Sequence, residues 1–356
     1  MAKRVDLVDV AKGMSILLVA FHHSQVAHIY TDVTHAMGLF RMPLFFFLSG
    51  VFFSAVAAPR DFIAHKTEAL LKPYFVTLGI LLLTTILLGR EGALKEALGI
   101  LYGTGYTIRW IPMWFLTHLW ALFMVSYLLV RMLRLDSRYG WFQLIFCAGL
   151  ILLGVLSLDL IRDRSVTLFG HAYPLPGLPF SVDFICLSMA FFLAGHFLSQ
   201  RVKAFVPSPW VMAVMGAAFF SVVLFTQAYT DLNTRSYREP LMATLAAFAG
   251  IYLMLSCAYY FSRVSRIRAF FKAFGSASLF ILIFHYALGA KMQGLLDRLF
   301  SSEWLLITGT ASYLFSVTMP LLIKRLIERN RYLRRLYFPV RRTRAEAVSQ
   351  TRVVGG

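Results

Sequence analysis

Charge is scarce in this chain: Asp, Glu, Lys and Arg make up 15% of its 356 residues, while apolar residues make up 59%. So little polar surface excludes an ordinary soluble domain, whose apolar residues do not exceed what one core can bury. Cysteine is scarcer still. Cys147, Cys186 and Cys257 all fall inside apolar runs at no paired or metal-ligand spacing, which excludes a disulfide framework and predicts buried free thiols. A small-residue cleavage site is missing before His22 and His23, so the apolar stretch after Lys3 and Arg4 reads as an uncleaved first helix and not as a signal peptide. No internal repeat and no separate soluble domain is visible.

Acidic residues are the minority charge, 17 against 35 Lys and Arg, for a net charge of +18. The basic residues lie in short connectors between apolar runs and not in a patch on a soluble fold, so nucleic acid is not the expected partner. Runs of roughly 17 to 25 apolar residues cross a bilayer as helices. By that rule the chain is an all-α integral membrane protein of about ten transmembrane helices, at 13–30, 39–57, 73–88, 112–133, 141–158, 181–199, 210–227, 240–261, 274–290 and 304–323. With both termini cytoplasmic, 25 of the 35 basic residues fall on the inner side, where the net charge is +18 against zero outside. The expected address is therefore a bacterial inner membrane, crossed many times. Two long connectors on the outer side, 89–111 and 159–180, carry Gly, Pro and aromatics and are candidates to hold a ligand. The chain divides into a membrane domain, 1–330, and a basic cytoplasmic tail, 331–356. Arg interleaved with Leu, Tyr and Phe over 324–344 suits an anionic lipid surface, and equally a plain stop-transfer anchor.

The first helix carries an unusual set of ionisable residues: Asp9, Lys12, then His22 and His23. Lys12 and His23 are eleven residues apart, three turns plus about 20°, so a continuous helix points them to one side. Asp9 and Lys12 stand at i and i+3 and can pair. His23 lies about 15 Å along such a helix from Gly13, near mid-bilayer, the depth at which an ionisable group faces the bundle interior or a wet cavity. Histidine exchanges a proton near neutral pH, which is what a general base does; hydrogen bonding between helices is the plainer role, and one of two adjacent histidines is expected to serve it. Arg41-Met-Pro-Leu-Phe-Phe-Phe-Leu-Ser49-Gly50 opens the second helix, with Ser-Gly suited to close packing and Arg41 at the outer edge, placed to hold a carbonyl oxygen or an acceptor. Pro112-Met-Trp114-Phe-Leu reads as an interfacial aromatic anchor. Gly275-Ser-Ala-Ser278 leads to His285, at about the depth of His23.

Taken in order, Asp9-x-x-Lys12-Gly13 with His23, Met42-Pro43 through Ser49-Gly50, Trp114-Phe-Leu, and Gly275-x-x-Ser278 to His285 resemble the membrane-bound acyltransferase-3 family. The match extends from about Val5 to His285 and looks nearest to small inner-membrane members without an added domain, of the fucose 4-O-acetylase-like kind. Such enzymes acylate hydroxyls of surface and periplasmic glycans. The resemblance implies an O-acyltransferase that takes an acetyl or other acyl group from cytoplasmic acyl-CoA and needs no metal. Its acceptor would be an extracytoplasmic glycan or lipid-linked saccharide. The family's essential basic residue and histidine fall on Lys12 and His23; Lys12 stands where many members have Arg. Paired basic residues before the third helix correspond loosely to Lys66 and Lys72, which with Lys12 would meet the phosphates of coenzyme A. Asp9 balances Lys12, and Arg41, Ser49 and His285 are candidates to stabilise the oxyanion. The competing expectation is a proton-coupled secondary transporter with His23 and His285 as relay, which should show inverted repeats and broken midplane helices.

Overall fold

In the computed structural model, which describes residues 6–161, 164–168 and 171–340, apolar periodicity has become a bundle of helices joined by short turns and two small hairpins. The first third holds α1 (Asp6–His22), α2 (Gln25–Ile29), α3 (Thr31–Val51), α4 (Pro59–Lys66), α5 (Lys72–Leu87) and α6 (Ala93–Tyr102). Next come α7 (Trp114–Met132), α8 (Gly140–Ile161), the hairpin β1 (Ser165–Leu168) and β2 (His171–Pro174), α9 (Ile185–Phe197), α10 (Ser199–Lys203) and α11 (Pro209–Phe225). A second hairpin, β3 (Tyr229–Asp231) and β4 (Ser236–Arg238), precedes α12 (Pro240–Arg263), α13 (Ser265–Ser276), α14 (Ser278–Leu296), α15 (Leu305–Arg329) and α16 (Arg331–Tyr337).

Among the described residues, seven helical stretches are long and apolar enough to cross a membrane: Pro59–Leu87, Ile111–Met132, Gly140–Ile161, Pro179–Phe197, Pro240–Arg263, Ser278–Leu296 and Ser302–Arg329. Pro209–Phe225 is apolar but shorter. The chain is a multi-pass membrane protein. Burial separates centre from rim: 72% of the apolar stretch of α7 is enclosed, against 22% for α8, whose Leu144, Leu152 and Leu156 face outward. Lipid tails are as apolar as leucine, so such outward side chains cost nothing there. Helix association rests instead on close approach. A Cβ on Gly13 would sit 2.0 Å from the Phe271 carbonyl oxygen, and one on Gly275 2.5 Å from that of Asp9, so α1 and α13 cross backbone to backbone. Gly50 of α3 and Gly195 of α9 interlock in the same way, with hypothetical Cβ atoms 1.8 Å and 2.0 Å from the Phe192 and Phe47 carbonyls.

Several boundaries differ from expectation for physical reasons. The first helix is described from Asp6, whose carboxylate meets Lys272 at 2.5 Å and Arg268 at 3.4 Å on α13. It ends at His22, because the Ser24 hydroxyl donates to the Phe21 carbonyl at 2.7 Å and closes the last turn. The second long helix starts at Thr31 and not near residue 39, since the Thr34 hydroxyl donates to the Ala27 and Tyr30 carbonyls and folds the α2–α3 turn. Pro43 therefore lies inside α3 and not at its start. The third span begins at Pro59, with Pro73 inside it. A π-helical turn at Thr67–Leu71 absorbs the missing proline N–H, and the Trp120 indole donates to the Thr67 hydroxyl there. The ninth breaks at Ala277 into α13 and α14. Free thiols are found at all three cysteines, but only Cys147 is buried; Cys186 is half-buried, and Cys257 faces outward on α12. The start of the basic tail folds back onto the bundle: Tyr337 is buried with its hydroxyl on Thr77, and Glu68 accepts from the Val340 N–H. The rest of the tail, 341–356, lies outside the described residues.

Candidate active site

The α1–α13 crossing leaves Lys12 on the opening side of α1, and a cavity of about 730 Å³ lies against it. Asp9, Lys12 and Ser15 from α1, Phe45 and Ser49 from α3, Lys66 from α4 and Lys272 from α13 line its walls, with Ser278 at the first residue of α14. Cations are held at the wall by aromatic faces. The Lys12 ammonium sits 4.3 Å from the centre of the Phe52 ring, and that of Lys66 3.5 Å from the Phe123 ring. The volume is that of a ligand cleft, and the ammonium groups of Lys12 and Lys66, with that of Lys272 at the wall on Asp6, suit an anionic ligand. Lys72 is not among them: its ammonium donates to the Phe338 carbonyl at 2.8 Å and stands 3.7 Å from Glu68.

A second, smaller cavity of about 70 Å³ lies beyond the Phe45 ring, which is part of both walls. His22, His23 and Arg41 line it, together with Trp114, Asp231 and Asn233. The His23 ring centre is 5.3 Å from that of His285 and 5.0 Å from that of His22, so three imidazoles form one cluster. His285 is oriented by its own helix: Nδ1 stands 2.7 Å from the Ile281 carbonyl and 3.1 Å from that of Leu282. Carbonyls only accept, so Nδ1 carries the proton and Nε2 keeps a bare lone pair. That Nε2 has no hydrogen-bond partner, nor do His22 Nδ1 and Arg41 Nη1, although all three are buried. Buried polar atoms are nearly always paired, and orphans concentrated at one cavity mark a place prepared for another molecule. His118 is the contrast: Nδ1 bonds the Ser181 carbonyl at 3.1 Å and Nε2 the Ser188 hydroxyl at 2.8 Å, which makes it a satisfied core histidine.

Most sequence-flagged residues converge here, with corrected positions. Lys12, Asp9 and Lys66 line the larger cavity; His23 and Arg41 line the smaller, and His285 stands beside it. His23 is not midway along a continuous helix but in the turn just past the end of α1, so it shares no helix face with Lys12. Arg41 is not at a helix edge; it is 6% exposed in the middle of α3, because that helix starts earlier than its apolar run. Trp114 is 6% exposed and lines the small cavity, which corrects its reading as an interfacial anchor. Ser49 donates its hydroxyl to the Phe45 carbonyl at 2.8 Å and so has no proton to offer an oxyanion. Asp231, Asn233 and Lys272 were not legible as site residues. The signals that could have found them are the Asp-Leu-Asn-Thr turn at 231–234 and the basic run through α13.

Residues 5–323 match the family model described as an acyltransferase domain, of type 3. No curated protein and no solved structure matches the chain.

Proposed function

The chain belongs to the acyltransferase-3 family of membrane enzymes, and from that membership we propose that it moves an acyl group, most simply acetyl, from acyl-CoA to a glycan hydroxyl across a bacterial inner membrane. On this reading α1, α3 and α11 cross with the seven apolar stretches, making ten crossings with both termini cytoplasmic, as the charge asymmetry favours.

What supports the reading is the pair of cavities meeting at Phe45, one walled by ammonium groups and the other by histidines. Acyl-CoA, with several negative charges, enters the larger from the basic side. Lys12, Lys66 and Lys272 hold its phosphates, with Asp9 moderating the charge at Lys12. Lys72, engaged with Phe338 and Glu68, instead anchors the chain segment behind Lys66. The acceptor hydroxyl comes from the opposite side into the smaller cavity. His23 takes its proton as the oxygen attacks the thioester carbonyl; the carbon–sulfur bond breaks, and the thiolate of coenzyme A leaves and recovers a proton. His285, with Nδ1–H fixed to backbone carbonyls, presents Nε2 toward the cluster and steadies the imidazole that receives the proton. Arg41 supplies a buried N–H to the developing oxyanion or to the acceptor.

His23→Ala is expected to lower acyl transfer by about 10²- to 10⁴-fold, the range of general-base catalysis, with normal membrane insertion and unchanged thermal stability. Transfer is measured as glycan O-acyl content in cells and as thiol release from acyl-CoA by purified protein. Wild-type rates in that variant would overturn the mechanism.

A further inference from the structure

Next to the small cavity, on the side away from Lys12, lies a chamber of about 250 Å³ between the α2–α3 turn and the β3–β4 hairpin. His22, Arg41 and Asp231 belong to the walls of both, so the two spaces adjoin. The hairpin is held firmly. Tyr229 pairs with Arg238, Thr230 with Tyr237 and Asp231 with Ser236; the Tyr237 hydroxyl is 2.7 Å from that of Thr244 on α12. Across the chamber, His35 Nε2 lies 2.8 Å from the Ala228 carbonyl and so donates to it, which ties α3 to the start of β3. Asp231 Oδ1 accepts from the Asn233 and Thr234 N–H groups, which sets the turn.

Four buried polar atoms of residues that line these two spaces have no hydrogen-bond partner: Arg41 Nη1, His22 Nδ1, Thr230 Oγ1 and Asn233 Oδ1. Thr230 and Arg41 are 4% and 6% exposed, so water does not satisfy them from outside. Their chemistry defines the missing partner. The guanidinium only donates, the amide oxygen of Asn233 only accepts, and the Thr230 hydroxyl does both. A carboxylate or phosphate group has acceptors alone, cannot satisfy Asn233, and would face the Asp231 carboxylate, whose charge offsets that of Arg41. A hydroxyl both gives and takes, so a ligand carrying several hydroxyls satisfies all of them. The Tyr229 ring in the chamber wall offers an aromatic face of the kind that covers the apolar face of a sugar ring.

We propose that the chamber under the β3–β4 hairpin is the acceptor subsite, that it seats one uncharged sugar ring, and that Arg41, Thr230 and Asp231 read its hydroxyls while one hydroxyl is directed past Asn233, in the wall of the adjoining small cavity, to His22 and His23. This rests on the acyltransferase reading and adds the placement and charge selectivity of the acceptor. Asp231 is the selectivity element: it neutralises Arg41 and repels acceptors bearing a carboxylate.

The test uses the detergent-solubilised full chain with methyl pyranosides of glucose, galactose, mannose and fucose, and with methyl glucuronoside, observed by saturation-transfer NMR. At least one neutral glycoside is expected to receive saturation and the glucuronoside not. Thr230→Val, which keeps shape and removes the hydroxyl, weakens the neutral ligand by roughly tenfold, the size of one hydrogen bond in a desolvated site. Asp231→Asn lets the glucuronoside bind. Saturation of no neutral glycoside, or identical behaviour of both variants and wild type, overturns the subsite. Acyl-CoA hydrolysis by the same preparation separates the two claims: hydrolysis without glycoside binding removes the subsite and leaves the transferase, and loss of both removes the transferase as well.

Discussion

His285 spends one ring nitrogen on its own backbone and leaves the other bare, and that division gives it a use at the cavity. A histidine kept only for packing would be satisfied on both sides, as His118 is. His285→Phe keeps the ring volume and removes the lone pair, so we expect a loss of about 10-fold or more in kcat with little change in melting temperature. Because His23 and His285 act as a unit, the double variant His23→Ala/His285→Phe is expected to be no slower than His23→Ala alone. A multiplicative loss would show the two acting independently. Lys66 is the counterpart on the other side of Phe45. Lys66→Met preserves most of the stem packed on Phe123 and removes the charge, so the KM for acyl-CoA should rise by roughly tenfold while kcat moves much less. A fall in kcat at constant KM would take Lys66 out of donor binding.

At the scale of helices, what decides the site is where α1 stops and how closely it lies on α13. The residue types of the site were legible in sequence because ionisable side chains stand out in apolar runs, and His23, Lys12 and His285 were found in that way. Their geometry was not. Hydropathy cannot see that the Ser24 hydroxyl ends α1 or that Thr34 begins α3 early, and those two bonds move His23 off the helix and Arg41 into its middle. Asp231 and Asn233 were illegible for another reason: they reach the cavity through a hairpin whose position depends on contacts with α3 and α12, far away in sequence. The Gly13 crossing supplies a direct test. Gly13→Ala places a methyl 2.0 Å from the Phe271 carbonyl, so α1 must move off α13, at a cost of about 1–3 kcal/mol. Gly79→Ala, with open space at its Cβ, is expected to be neutral or mildly stabilising. Thermal unfolding of both variants in the same detergent checks the contrast, and equal melting temperatures would remove the close crossing as a determinant of stability.

For the whole molecule, the consequence of the charge distribution is direction. Asp6 and Lys272 mark one end of the bundle, and the same end carries the basic run from Arg263 to Lys272. The β3–β4 hairpin and its chamber lie at the other end of α3, next to its first turns. If the positive-inside rule sets the orientation, the Lys12 cavity opens to cytoplasmic acyl-CoA and the chamber to acceptors outside, and the acyl group crosses the membrane as it is transferred. In a chain whose three native cysteines are replaced by Ser or Ala, Thr234→Cys and Arg201→Cys place single thiols at the hairpin and at the basic end, where both residues are exposed. A membrane-impermeant maleimide added to cells with a permeabilised outer envelope should label Thr234→Cys at once and Arg201→Cys only after the inner membrane is broken. The reverse pattern would put the ammonium-lined cavity on the side without acyl-CoA. The charge asymmetry would then have misoriented the chain, and the assignment of donor and acceptor to the two cavities would have to be exchanged.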